Sequence, residues 1–305
     1  MYRICLIFSF LTYSFLSAQD TLIPVIFLDD IVISEENNGF TVDDFIRYVK
    51  KDTTFYMGFK YLRYYTHHYE SELSIFNKKG KRVGLLTKKG THYSNGKKAW
   101  IVNDTIYHKG KIFKRNGKYK YYTPEAFDEV FFPIDTIEVG LKISDVKNKD
   151  DSQNMRDAKT IGFSIGKDDV EQSKGGLSKK LAIFDIDMQQ YYSYTISDTI
   201  YKSIDAYVFI VQVKENLKHN EKEKALIRKV VSFFDKENFN VICREYKFKY
   251  NHTLFSLDMD VVVNMDYVNF KHVPVDIFYK GFWNVVFFKP ERAEFRLFNT
   301  NYIVQ

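Results

Sequence analysis

From residue 181 onward the chain offers a new strand-like run every ten to twenty residues, with gaps of three to eleven positions between runs. The runs are 181–187, 191–196, 206–214, 225–234, 239–250, 254–266, 273–279 and 291–299. Consecutive strands joined by short turns favour an antiparallel sheet, because a parallel crossover needs a dozen or more residues. The clearest register lies between Leu257 and Tyr267. There Met259, Val261, Val263 and Met265 alternate with Asp258, Asp260, Asn264 and Asp266. A period of two with apolar residues on one side predicts a strand with one face buried. Asp235-Lys236-Glu237-Asn238 predicts a hairpin loop between Phe234 and Phe239.

The first half adds helices and a second meander. Thr41-Val42-Asp43-Asp44 places a hydroxyl and two acids where a helix begins, and Phe45, Ile46 and Val49 follow at helical spacing. Asp52 caps a second segment in which Phe55, Phe59 and Leu62 recur four and three residues apart, so 42–64 is expected to form two short helices. Ile23 to Ser34 is expected as a strand and Asn37-Asn38-Gly39 as a turn. Short strands are expected at Leu73 to Phe76, Val83 to Leu86, Ala99 to Asn103, Thr105 to His108, Lys111 to Lys114 and Lys118 to Tyr122. Turns at Lys78 to Lys81 and Asn116-Gly117 link members of this set. Thr123-Pro124 predicts a helix with Thr123 as its cap and Pro124 at its first position. Residues 147–180 are polar and weakly patterned and are expected to form a long loop. With 28 Phe, 23 Tyr and only five Pro, the composition favours strands throughout. The expected fold is α+β: a large curved antiparallel sheet, open-barrel-like, with a few short helices packed on one face.

The N-terminus reads as a secretory signal. Arg3 precedes an apolar run from Ile4 to Leu16, and Ser17-Ala18 stand before Gln19-Asp20. The run is shorter than the roughly 20 residues that span a bilayer as a helix. Cleavage after Ala18 puts Leu16 at a position that prefers a small residue. The expected organisation is a signal peptide over 1–18 and one β-rich domain over 19–305, with a subdivision at 20–145, 146–180 and 181–305. The expected location is periplasmic or secreted. Cys5 would leave with the signal, so Cys243 would be the only thiol of the mature chain, in a segment that suits a small buried hydrophobe.

Charge is distributed unevenly. Lys78 to Lys120 holds fourteen Lys or Arg and one acid, Asp104, against a net charge of +6 for the whole chain. Lys78, Lys79, Lys81, Arg82, Lys88, Lys89, Lys97 and Lys98 are the candidate patch for an anionic partner. In an exported protein such a patch meets lipid headgroups, lipopolysaccharide or acidic glycans rather than nucleic acid, and the contact is peripheral to the membrane at most. The same lysines also suit hairpin turns and edge strands, where they keep exposed edges from pairing. At the other end of the chain Phe278, Phe282, Trp283, Phe287 and Phe295 are the candidate lining of an apolar ligand cavity; dense aromatics also serve as plain core.

The patterns that carry chemistry are weak. None of the seven histidines stands at a zinc-like spacing from an acid or cysteine, and His67-His68 on a strand would point to opposite faces. Asp258-x-Asp260 and Asp185-x-Asp187 each place two carboxylates on one strand face, which suits either a hard cation or solvent. Gly162 to Asp168 is one residue short of a P-loop and has Asp168 where the hydroxyl belongs. No Gly-x-Ser-x-Gly elbow occurs. Neither a catalytic site nor a metal nor a cofactor is expected, and the chain is read as a non-enzyme.

The run Asp205 to Val213, the segment Val231 to Val241 with its aromatic-Asp-Lys turn, and His272-Val273-Pro274 before another strand resemble the LolA/LolB-like lipoprotein-carrier fold over roughly 180–300. The whole chain also resembles a family of uncharacterised secreted proteins of Bacteroidota. The first resemblance implies a strongly curved antiparallel sheet closed by helices around an apolar cavity that holds acyl chains. It thus implies a periplasmic binding protein, a carrier of a lipid or lipoprotein-type ligand. An envelope interaction module that meets an outer-membrane protein partner or an anionic surface through the basic meander is the alternative.

Overall fold

The two short helices expected ahead of the sheet are present, α1 (Val42–Lys51) and α2 (Thr54–Tyr64). They come from a computed structural model that describes residues 42–51, 54–133, 135–139, 180–251, 255–269, 271–285 and 289–303. The segments expected as a signal (1–18), a strand (Ile23 to Ser34), a turn (Asn37-Asn38-Gly39) and a long loop (147–180, all but its last residue), and Phe287, lie outside the described residues.

The remaining elements are β1 (Thr66–Phe76), β2 (Arg82–Ser94), β3 (Lys98–Gly110), α3 (Tyr122–Phe131), β4 (Ile137–Glu138), α4 (Ile186–Gln189), β5 (Tyr192–Tyr201), β6 (Ile204–Val213), α5 (His219–Lys222), β7 (Ile227–Asp235), β8 (Val241–Asn251), β9 (Phe255–Val268), β10 (Lys271–Val285) and β11 (Glu291–Ile303). The eleven strands form one curved, unclosed antiparallel sheet in the order β4-β3-β2-β1-β11-β10-β9-β8-β7-β6-β5. Every neighbour is a sequence neighbour except β1 and β11, so the two halves of the chain are joined at the centre of the sheet. The chain leaves the sheet at one edge after β4 and re-enters it at the other at β5.

The alternation read from the sequence sets which face is buried. Leu73, Phe295, Tyr279, Val261, Tyr246, Val230 and Val211 are successive cross-strand partners, and all belong to one core. Helices α1, α2 and α3 lie on this face. Phe45 of α1 packs its ring 5.0 Å from Phe209 and edge-on to Phe234 at 5.1 Å. Phe127 of α3 stacks on Phe295 at 4.2 Å. Helix α2 lies against β10, and Gly58 permits the close approach: a Cβ there would sit 3.0 Å from the His272 carbonyl oxygen. Each buried ring or branched chain contributes about 1.5–3 kcal/mol of transfer free energy.

The opposite face is also apolar in its centre, where Val208, Phe233 and Cys243 are cross-strand neighbours. The β5–β6 turn leans over it. Lys202 and Ser203 both have positive φ, 50° and 68°, the geometry of a tight two-residue hairpin. Tyr201 stacks on Phe233 at 4.3 Å and donates its hydroxyl to Asn264 Oδ1 at 2.9 Å. Cys243 is fully buried here, and burial pushes its thiol up to about 12.

Several local expectations differ from the structure. Ala99 to Asn103 and Thr105 to His108 are one strand, β3, interrupted by a bulge that leaves Asp104 without an opposite residue. The hairpin around Asn116-Gly117 shrinks to a single bridge, Phe113 with Tyr119, over a turn in which Gly117 has φ +80°. Residues 181–187 are not a strand: the carbonyl of Asp185 accepts from the N–H groups of Met188 and Gln189, and the chain coils into α4. Short apolar runs suit a buried turn as well as a strand. Asp185 and Asp187 therefore share no strand face. Helix α3 starts two residues ahead of Pro124, and Thr123 turns its hydroxyl to Glu291 of β11 instead of capping.

Candidate functional site

Between α2, the end of α3 and the sheet lies a cleft of about 50 Å³. Helix α2 contributes Phe59, Leu62 and Arg63, with Phe59 and Leu62 continuing the stripe that starts at Phe55. The end of α3 contributes Val130, Phe131 and Phe132, and Pro133 stops the helix there. The sheet supplies His67 and Tyr69 from β1, His92 from β2, Ile101 from β3, and Leu297 and Asn299 from β11. Ile137 completes the wall.

The polar end of the cleft is built around two buried imidazoles. His67 and His92 are cross-strand partners and stack at 4.7 Å. Both donate from Nδ1 to the same acceptor, the carbonyl of Tyr65, at 3.0 and 3.1 Å. A carbonyl has two lone pairs and can serve both. Burial, reinforced for His67 by the neighbouring His92, brings the two pKa values down to about 3 and about 4. Both rings are then neutral Nδ1–H tautomers with Nε2 as an acceptor. Tyr302 stacks on the other side of His67 at 4.9 Å. His68 points to the opposite face, as adjacency on a strand requires, where its Nδ1 lies 3.1 Å from the Thr91 hydroxyl.

A second polar cluster stands beside the cleft. Lys88 points inward and donates to both oxygens of Asp128 at 2.7 Å. Tyr119 donates its hydroxyl to the same carboxylate. The ammonium lies 5.1 Å from the ring centre of Phe132. Burial raises the Asp128 pKa, and Lys88 pulls in the other direction. Tyr69 is held by a hydroxyl bond to Asn103 Oδ1 at 2.8 Å.

The residues singled out from the sequence are distributed by the pleat. Trp283 and Phe295 lie on the helix-covered face, the first beside Tyr122 and the second behind Phe131 and Phe132 of the cleft wall. Phe278 and Phe282 lie half-buried on the opposite face, where Arg292 covers the Phe282 ring at 5.7 Å. Lys78, Lys79, Lys81 and Arg82 are exposed at the β1–β2 turn, while Lys97 and Lys98 are exposed at the β2–β3 turn. About 40 Å of strand separates these two groups. Lys89 pairs with Glu70 at 2.8 Å on the surface, and Lys88 is buried in its pair with Asp128. Asp258 and Asp260 share the opposite face of β9, Asp258 between Lys249 and Phe282 and Asp260 between Lys247 and Lys280. Among the described residues no group of three or more His, Cys, Asp or Glu is placed to hold a metal ion.

Sequence reading missed the pairing of His67 with His92 and of Lys88 with Asp128. Only the odd placement of a lysine in phase with Leu86, two residues along β2, signals an inward Lys88.

No family model matches the chain, and no curated protein matches it. Among solved structures it is similar to a DUF1329 family protein from Desulfovibrio piger, with 11% identity over 82% of this chain and 93% of that one, at a TM-score of 0.25. It is similar to a putative outer membrane lipoprotein-sorting protein domain from Vibrio parahaemolyticus, with 11% identity over 84% of this chain and 93% of that one, at a TM-score of 0.26. It is also similar to lipovitellin, with 7% identity over 78% of this chain and 25% of that one, at a TM-score of 0.25.

Proposed function

We propose that the protein is exported by its N-terminal signal and holds a hydrophobic ligand, an acyl chain, in the cleft between α2, α3 and the sheet, without covalent chemistry. The observation that carries this reading is the cleft itself: apolar walls from two separate helices, ending on neutral acceptors at His67 and His92. Its present volume, about 50 Å³, is smaller than the roughly 150 Å³ that admits benzene in an apolar cavity. An acyl chain therefore enters only as α2 and the end of α3 move apart, exposing Phe295 behind Phe131. Each methylene buried stabilises the complex by about 0.8 kcal/mol.

The test is native mass spectrometry of the mature protein from its native envelope fraction, followed by denaturing lipid extraction. A stoichiometric acyl-chain ligand that is lost in Phe131→Glu and kept in Phe282→Glu supports the cleft. Loss in Phe282→Glu alone moves the site to the opposite face, and an empty protein that takes up no fluorescent lipid probe ends the reading.

A second reading rests on the exposed lysines at the β1–β2 and β2–β3 turns, which suit an anionic envelope surface. Salt-sensitive sedimentation with anionic but not neutral vesicles, weakened when Lys78, Lys79 and Lys81 become glutamate, is its expected result.

A further inference from the structure

Strand β3 pairs with β2 along its length, but on its outer side only Lys98 and Ala99 meet the two-residue β4. From Trp100 to Gly110 the outer edge has no strand partner among the described residues. That is an open template of about 37 Å. Long open edges recruit other chains, and proteins blunt them with lysine, proline or shortness. Trp100 to His108 has none of these three: it is Trp-Ile-Val-Asn-Asp-Thr-Ile-Tyr-His, and the bulge at Asp104 is its one edge-blunting feature. Large apolar side chains stand in solvent along it, with Trp100 36%, Val102 44%, Ile106 53% and Tyr107 51% exposed. Tyr93 of β2 stacks on Trp100 at 5.7 Å and widens this strip.

The charges choose the occupant. Lys97 and Lys98 stand before the apolar stretch, and Lys109 and Lys111 follow it, all exposed. The segment Lys78 to Lys120 around it carries fourteen basic residues and one acid. Pairing β3 with β3 of a second copy would bring two such segments together, which like-charge repulsion opposes. We propose that β3 is a strand-addition site for an extended segment of another polypeptide, apolar at alternate positions in its middle and acidic at both ends. Main-chain hydrogen bonds along Trp100 to Gly110 supply affinity, and the flanking lysines set the partner's charge. This inference does not rest on the ligand-holding cleft.

The experiment titrates the full mature chain by calorimetry with three eleven-residue peptides that alternate valine and threonine. One has glutamate pairs at both ends, one has lysine pairs, and one is the acidic peptide N-methylated at alternate residues. The acidic peptide is expected to bind, with slowed amide exchange confined to β3, and the lysine peptide to bind at least about a hundredfold more weakly at low salt. N-methylation removes several main-chain donors and is expected to weaken binding by about thirtyfold or more. Ile106→Asp, at an exposed position, removes an apolar contact and adds a like charge, and is expected to weaken the acidic peptide without altering the thermal midpoint. Equal binding of the N-methylated peptide, equal binding of the lysine peptide, or no binding of the acidic one overturns the proposal. A dimer in sedimentation that Ile106→Asp dissolves also overturns it and makes a second copy the occupant.

Discussion

Replacing Glu291 by glutamine is expected to stabilise the protein more the higher the pH. Glu291 opens β11 with its side chain 2% exposed, and its Oε1 accepts from both the N–H and the hydroxyl of Thr123 in the first turn of α3. Its Oε2 has no hydrogen-bond partner among the described residues. Burial of the carboxyl outweighs the bonds from Thr123 and the weaker pull of the Tyr122 backbone N–H, and the pKa rises from 4.5 to about 7. The unfolded chain ionises this carboxyl near 4.5 while the folded one keeps its proton to about 7, so between those values the folded state binds more protons. Stability is then lost as pH rises through that window, in total by about 3 kcal/mol. Glutamine retains a carbonyl oxygen for Thr123 and does not titrate. Urea unfolding of both proteins at pH 4.5, 6, 7 and 8 gives the difference, in which every other titrating group cancels. The advantage of Glu291→Gln should grow by about 3 kcal/mol from the lowest pH to the highest. A difference that stays flat, or that turns in favour of the wild type as pH rises, would refute the account, because it would mean that the carboxylate ionises freely and stabilises the N-terminus of α3.

Three further outcomes follow from the same geometry. Lys88→Met leaves Asp128 buried without its cation and should cost about 3–5 kcal/mol in denaturant unfolding, while Lys88→Met with Asp128→Leu should recover most of that loss. His67 and His92 have folded pKa values below the unfolded value of 6.5, so they withhold protons that the unfolded chain takes up. Their contribution is present above pH 6.5 and is lost on acidification towards about 4 and 3, by up to about 2.7 kcal/mol per pH unit for the pair; His67→Gln should flatten the acid limb of the stability curve. Cys243, buried and with its thiol pushed up to about 12, should react with maleimide at pH 8 only at the rate of unfolding; fast labelling of the native protein would contradict its burial.

Residue alternation alone determined much of the architecture. Met259, Val261, Val263 and Met265 had to share a face, and they do, because a strand's side chains alternate whatever lies beside it. The two helices over 42–64 and the turn at Asp235 to Asn238 were likewise local, written in spacing and turn chemistry. The pairing of β1 with β11 was not, since nothing in either strand names a partner more than two hundred residues away. That pairing sets Leu297 and Asn299 beside β1 in the cleft and brings Glu291 to Thr123. Tertiary structure also decided between core and surface for the aromatics: the pleat of β10 puts Trp283 with the helices and Phe282 on the other side, one residue apart in sequence. It turned Lys88 inward to a carboxylate on α3 while its neighbour Lys89 stayed in solvent. Sequence specifies which residues share a face; the burial and charge of each depend on what the rest of the chain lays against that face.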